Sequence, residues 1–437
     1  MPDRQKRVLI VAFHYPPDLS SSGVLRTLKF SRYLPDSGWL PTVLTVEAKH
    51  YETRDSALEA QIPPEVEVHR TRAIDMKRTF SIKGKHFRFT VVPDRFTGWL
   101  PFAVTRGRKL IREKQIDAIY STSPLPTSHL VAMSLQRLTG IPWAADFRDP
   151  WLEPELADIT SALYRFEQSL CNRVVKRANR LIYTTSPLRD YALRGHESLQ
   201  PKATVIPNGY DEGDFGATVE GTPDAAPITI AHTGLVDGAY RSPKAVLGAL
   251  ASLIADGEVG PREVRIKFLG PGGYAQSADF LNLLDSLKLR EVVEATGKVS
   301  YHECLLQQSQ AHILLLLQCG DDTRTMIPAK AFEYLRVGRP VLAVTPEGAT
   351  SELFAATGGA AVVDPQDETA MREALRMLVQ QARRGVSRPE INRQVLESYS
   401  RRSLSRQLAN VLDAMCGFET RGNISQVAVP VGAQPAR

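Results

Sequence analysis

The chain predicts an α/β protein made of two doubly wound domains, each a parallel sheet with helices on both faces and with a cleft between the two. Three observations predict it. Short apolar runs alternate with helix-like segments along most of the chain. The pattern restarts near residue 228 after a small, polar stretch without periodicity, and 437 residues exceed one compact core and suit two domains of about two hundred each.

The strand candidates of the first half are Arg7 to Phe13, Thr42 to Val46, Val66 to Arg70, Ala118 to Ser121, Trp143 to Phe147, Leu181 to Thr185 and Thr204 to Pro207. They complete a first domain over residues 1–216. The linker falls between Phe215 and Pro227, where Gly, Ala, Thr and Pro dominate. A second domain over 228–398 follows, with Ile228 to His232, Val264 to Leu269, Val292 to Thr296, Ile313 to Leu317, Val341 to Val344 and Ala361 to Val363. A last helix, about 400–416, carries Leu404, Leu408, Val411, Leu412 and Met415 on one side. Residues 417–437 have few large apolar groups and are expected to be a flexible tail.

Composition narrows the class. A hydrophobic content of 43% and a charged content of 23% describe an ordinary globular protein, and no apolar run approaches the roughly twenty residues that cross a bilayer. Val8 to Phe13 is too short for a signal-peptide core, so a cytoplasmic location is expected. Cys171, Cys304, Cys319 and Cys416 lack the spacing of a zinc site or disulfide framework and read as reduced packing residues. From Lys77 to Lys114 there are eleven Lys or Arg against Asp94 and Glu113, interleaved with Phe87, Phe89, Phe96, Trp99, Leu100 and Phe102. Arg173, Lys176, Arg177 and Arg180 follow an apolar stripe of Leu163, Phe166, Leu170 and Val174. Such a surface suits an anionic membrane, or it is a solvated basic face with the aromatics in the core. Nucleic acid is not expected, since no nucleic-acid motif accompanies the charge.

The richest segment is Met326 to Pro340. A buried strand, Ile313 to Leu317, leads through the loop 318–327 into a helix that Pro328 opens and Gly338 with Pro340 stops. Lys330 and Glu333, three apart, share one helix face near the end that attracts anions. A phosphate and a pair of sugar hydroxyls suit that face. Earlier, after Ile228 to His232, Gly234 and Gly238 precede Arg241, Ser242, Pro243 and Lys244, where a helix start forms a second anion site.

The run Pro328-x-Lys330-x-x-Glu333-Tyr334-Leu335-x-x-Gly338-x-Pro340-Val341-Leu342-Ala343 resembles the donor-site segment of the retaining glycosyltransferases of family 4. The resemblance extends over most of the chain in at least four segments. It implies the GT-B fold, two Rossmann-like domains facing a central cleft with the last helix crossing back to the first, and a nucleotide-diphosphate sugar as donor. It gives Glu333 the ribose hydroxyls, Lys330 and Arg241 the diphosphate, and Lys298 and Val299 the turn whose backbone meets the base. Thr325, Met326 and Ile327 belong to the same donor segment. The first of the family's two glutamates, eight positions before Glu333, is replaced by Thr325. The family's arginine in the first loop of this domain is also missing, Gly234 standing there, while its downstream lysine falls near Arg241; Lys244 stands beside it.

In the first domain Gly23 resembles the family's first-loop glycine, which admits donor phosphate or acceptor, and Arg26 is either an aid to an anionic acceptor or a first-turn residue. Asp146, Arg148 and Asp149 crowd a strand end and are expected at the acceptor. Arg148 stands where family members often have His, so Asp149 or the departing phosphate takes the acceptor proton. The structural alternative is a buried Asp146 to Arg148 salt bridge with Trp151 packed on it. Arg148, Asp149, Arg241 and Lys330 are the candidate catalytic residues. No cofactor and no metal are expected, since no Asp-x-Asp stands at a strand end. The expected acceptor is a glycan or lipid-linked glycan at the cytoplasmic membrane face. Gly270 to Ala275 matches a dinucleotide fingerprint only formally, because Pro271 and Tyr274 crowd the turn. A sugar-nucleotide epimerase of the same fold and a non-catalytic sugar-nucleotide binder are the competing readings.

Overall fold

The computed structural model describes residues 4–19, 23–81, 91–152, 161–216, 223, 226–385 and 388–419. Two compact units emerge, one running to Pro207 and taking in the chain from Arg401, the other spanning Asn208–Ser400. Much of the expected linker lies outside the described residues, as do Phe87 and Phe89 and most of the expected tail.

The first unit holds a seven-stranded parallel sheet of β1 (Lys6–Val11), β2 (Trp39–Val46), β3 (Glu67–Thr71), β4 (Ala118–Thr122), β5 (Trp143–Phe147), β6 (Arg180–Tyr183) and β7 (Ala203–Val205), in the order β3-β2-β1-β4-β5-β6-β7. Alternation along β1 feeds two cores: Leu9 and Val11 pack with Trp99, Leu135 and Trp143, while Val8 and Ile10 pack with Val24, Leu28, Leu404 and Leu408. The apolar stripe on the last helix, Arg401–Cys416, thus covers one face of this sheet beside the helix Gly23–Tyr33.

The second unit holds β8 (Ile228–Thr233), β9 (Val264–Leu269), β10 (Val293–Thr296), β11 (Ile313–Leu317), β12 (Val341–Val344) and β13 (Ala360–Val363), all parallel, in the order β10-β9-β8-β11-β12-β13. Every residue of β11 is buried, with Ile313, Leu315 and Leu317 in one core and Leu314 and Leu316 in the other. This explains a strand that reads as unbroken apolar sequence. All thirteen expected strands form, with ends shifted by at most three residues, the largest at the start of β2. Helix starts shift too. Pro328 caps the helix Ala329–Val337 with extended backbone rather than opening it, and Pro243 caps the helix Lys244–Ala255.

The basic and aromatic stretch divides. Phe96 and Trp99 are core residues, and Phe102 is exposed. No described helix is long and apolar enough to cross a membrane.

Candidate functional site

In each sheet strand order reverses once, between β1 and β4 and between β8 and β11. Loops leaving the carboxyl ends of the two central strands diverge there, which opens a crevice for ligands. Gly23, Gly234, Lys330 and Glu333 lie at these two points, Asp146 to Asp149 lie at the end of the neighbouring β5, and Lys298 and Val299 follow the edge strand β10.

At the second switch point the loop after β8 holds Gly234 at φ +97°, and a Cβ added there would stand 3.0 Å from Lys330 Nζ. Glycine therefore leaves room for the ammonium. Lys330, on the first turn of the helix Ala329–Val337, donates to Thr233 O and lies 3.4 Å from His232 Nε2. His232 is fully buried; its Nδ1 meets Leu315 O at 2.8 Å, and its Nε2 faces Leu235 O at 3.3 Å beside the Lys330 ammonium. Burial, then the Lys330 charge, hold the imidazole neutral by pushing its pKa down to about 3. Burial, then the Arg241 charge, push Lys330 down to about 8, against the opposing pull of Glu333.

Glu333 turns the other way. It accepts from Tyr301 Oη at 3.0 Å and Gln308 Nε2 at 3.5 Å, both on the helix Tyr301–Gln310, and burial outweighs these bonds to raise its pKa. No ion pair joins it to Lys330 among the described residues. Two opposite charges one helical turn apart are thus each oriented by other elements and left available to a ligand. Gln308 is itself buried and also donates to Thr233 Oγ1 at 3.2 Å.

The loop between β11 and this helix is pinned from beneath. Gln318 Nε2 donates to Thr323 O at 2.8 Å and Met326 O at 3.0 Å, while Thr350 Oγ1 lies 2.7 Å from Gln318 Oε1 and 3.0 Å from Met326 O. Thr325 and Met326 are half-buried, and Ile327 packs on the core. Arg241 is exposed and loosely paired with Asp237 at 3.4 Å, which also accepts from its backbone N–H. Lys244 is exposed at the start of its helix, Lys298 is exposed, and Val299 packs on the core. His232, Tyr301, Gln308, Gln318 and Thr350 had no motif to mark them; only their place beside strand ends identifies them.

At the first switch point the expected acceptor group separates. Arg26 and Asp146 are 1% and 0% exposed and face each other, with Nε to Oδ2 and Nη2 to Oδ1 both at 2.9 Å. Tyr120 and Thr122 hydroxyls complete the carboxylate, and Arg26 also donates to Ile206 O and Pro207 O. Burial opposes ionisation of Asp146, but the Arg26 charge and hydrogen bonds win and hold its pKa below the usual value. The pair is therefore part of the fold, which corrects the expected acceptor role of both residues. The alternative pair, Asp146 with Arg148, does not form. Arg148 is 8% exposed, its Nη1 donates to Ser123 O at 3.2 Å, and among the described residues its Nε has no partner. Its guanidinium lies against Gly23, where an added Cβ would fall 1.3 Å from Nη1. Asp149 is half-buried.

Two parallel-sheet Rossmann-like units, each with its polar groups at the strand-order reversal, define a GT-B fold. Residues 23–209 match the family model described as a glycosyl transferase 4-like domain. No curated protein matches the chain. Among solved structures, a glycosyltransferase from Rickettsia africae is 14% identical, covering 94% of this chain and 99% of its own, with a TM-score of 0.63. Anabaena HepE in complex with UDP is 14% identical, with coverage of 94% and 100% and a TM-score of 0.64. The UDP-GlcNAc 2-epimerase of Methanocaldococcus jannaschii is 14% identical, with coverage of 92% and 99% and a TM-score of 0.54.

Proposed function

We propose that the protein is a retaining glycosyltransferase that moves a sugar from a nucleotide-diphosphate donor to a glycan or lipid-linked acceptor. The observation that carries this reading is the pair Lys330 and Glu333, held apart at the strand-order reversal of the second sheet by Thr233 and His232 on one side and Tyr301 and Gln308 on the other. In this reading the second unit binds the donor. Glu333 accepts from the ribose hydroxyls, the Val299 turn meets the base, and Lys330 with Arg241 meets the diphosphate. The HepE complex with UDP supports a nucleotide sugar as the ligand class.

As the bond from the sugar C1 to the phosphate oxygen breaks, its electron pair stays on the diphosphate, and Lys330 and Arg241 stabilise that growing charge. The acceptor oxygen forms its bond to C1 on the same face and gives its proton to the departing phosphate oxygen, which gives retention without an imidazole base. The first unit binds the acceptor, with Asp149 beside it.

Glu333→Ala is expected to weaken donor binding by about 1.5–3 kcal/mol, roughly tenfold to more than a hundredfold, because a charged acceptor of two hydroxyls is lost. Donor titration by calorimetry measures this, and an unchanged dissociation constant refutes the ribose assignment. Labelled nucleotide sugars incubated with a lipid extract separate the three readings: transfer supports the proposal, isomerisation supports the epimerase, and binding without turnover supports the non-catalytic binder.

Lys330 also sets a pH dependence. Its folded pKa of about 8 lies below the ordinary 10.5, so the free protein sheds this proton on rising through pH 8, and donor affinity falls above that value by up to tenfold per unit. Stability of the free protein moves the opposite way, rising between about 8 and 10.5, because there the unfolded chain binds the extra proton. Donor titrations and thermal melts across pH 7 to 10 check both signs.

We further propose peripheral attachment to an anionic membrane on the cytoplasmic side. Phe102 and Phe166 are exposed, with Arg108, Lys109, Arg112, Arg173, Lys176 and Arg177 exposed on the same two helices, Leu100–Lys114 and Ala162–Arg177.

A further inference from the structure

We infer that Gln308 is a positioning residue that ties the Glu333 carboxylate to the loop holding Lys330 and thereby sets the lower pH limit of donor binding. This rests on the proposed function in one respect, that Glu333 meets the donor. Gln308 lies near the end of the helix Tyr301–Gln310 and is 0% exposed. Its Nε2 donates to Glu333 Oε2 at 3.5 Å and to Thr233 Oγ1 at 3.2 Å, and lies 4.0 Å from Cys304 Sγ. The Thr233 backbone oxygen accepts from Lys330, so one amide links the two charged side chains through a single residue of β8. The Gln308 carbonyl, Oε1, is buried and has no partner among the described residues.

The amide is oriented by what surrounds it. Turning it over would set a carbonyl lone pair against the Glu333 carboxylate, so the N–H side faces that residue. An unpaired buried carbonyl lowers stability, and an apolar side chain would fill the same space without that loss. Gln308 therefore acts through its N–H groups. Burial raises the Glu333 pKa, and the bonds from Tyr301 and Gln308, then the Lys330 charge, oppose that rise. Of the other groups facing Glu333, Asp214 adds to the effect of burial, and Lys330 keeps its proton below about pH 8. His232 is neutral, and burial raises the Cys304 thiol and the Tyr334 hydroxyl, so both are neutral in the same range. Below pH 8, the amide is thus one of two neutral donors that keep the carboxylate in the form that accepts hydroxyls.

Carboxyl carbon NMR of the full chain without ligand, with Glu333→Gln assigning the signal, reads the Glu333 titration. Gln308→Met is expected to lower its ionisation constant about tenfold, because a hydrogen bond to the charged form is lost. UDP-glucose titrated calorimetrically between about pH 5.5 and 8 reads the consequence for binding. Relative to the native sequence, Gln308→Met loses most affinity at the acid end and recovers as the pH rises. Gln308→Glu keeps the shape and has the opposite sign. Two adjacent carboxyls hold one proton between them, which replaces the amide N–H until rising pH removes it. Its affinity is nearest to native at the acid end and falls at least about tenfold towards pH 8. A side chain that only filled space would change affinity equally at every pH. The inference is overturned if Gln308→Met leaves the Glu333 titration where it was, or if either variant's loss is the same at both ends of the range. If the titration moves but the native sequence binds none of UDP-glucose, ADP-glucose and GDP-mannose, the donor reading fails and the tie between Gln308 and Glu333 stands.

Discussion

Replacing Lys330 with methionine is expected to lower kcat/KM for sugar transfer by about 10²–10³, with most of the loss in kcat. Methionine keeps the length and the apolar stem while removing the charge, so the helix Ala329–Val337 and its packing on Leu314 and Leu316 survive. What is lost acts on the transition state. The ammonium already donates to Thr233 O and sits against the His232 ring, which fixes it in place before substrate arrives and leaves N–H groups for phosphate. Because the diphosphate gains charge as the sugar leaves, a preorganised cation helps the transition state more than the bound donor. Steady-state kinetics with donor varied at saturating acceptor measures the split. A rise in KM alone would mean that Lys330 only holds the donor, and unchanged kinetics would remove it from the site.

Lys330 also shows where sequence reasoning reaches its limit. The strand Ile313 to Leu317 was legible because five consecutive apolar residues leave few options, and the helix after it because glycine and proline mark its end. The spacing of Lys330 and Glu333 placed both on one face. It could not show that they turn apart, because their partners come from β8 and from the helix Tyr301–Gln310, 97 and 32 residues away in the chain. Gln318 and Thr350, which pin the loop, are common polar residues whose role exists only once β11 and the helix Ala349–Thr357 are side by side. At the first switch point the sequence grouped Asp146 with Arg148 because they are neighbours. The fold pairs Asp146 with Arg26, 120 residues away, because side chains two apart on a strand end share a side of the sheet but need not meet, whereas Arg26 lies buried against that end.

Asp146→Ala is expected to destabilise the first unit by about 3–5 kcal/mol, the range for removing one partner from a buried ion pair. The cost comes from what remains: a guanidinium 1% exposed without its carboxylate, and the Tyr120 and Thr122 hydroxyls without their acceptor. Urea unfolding read by circular dichroism measures it, and a loss under about 1 kcal/mol would mean the pair is not formed. A mutant cycle separates pairing from burial. Arg26→Met with Asp146→Leu removes both charges and is expected to recover part of the loss, but not all, because Arg26 also satisfies Ile206 O and Pro207 O where the chain leaves the first unit. Acid titration gives an independent check on sign. The folded carboxyl titrates below the ordinary 3.8, so its stabilisation is complete above about pH 4 and fades as the pH falls through the depressed value. Asp146→Ala should therefore flatten the acid limb of the stability curve as well as lower its plateau.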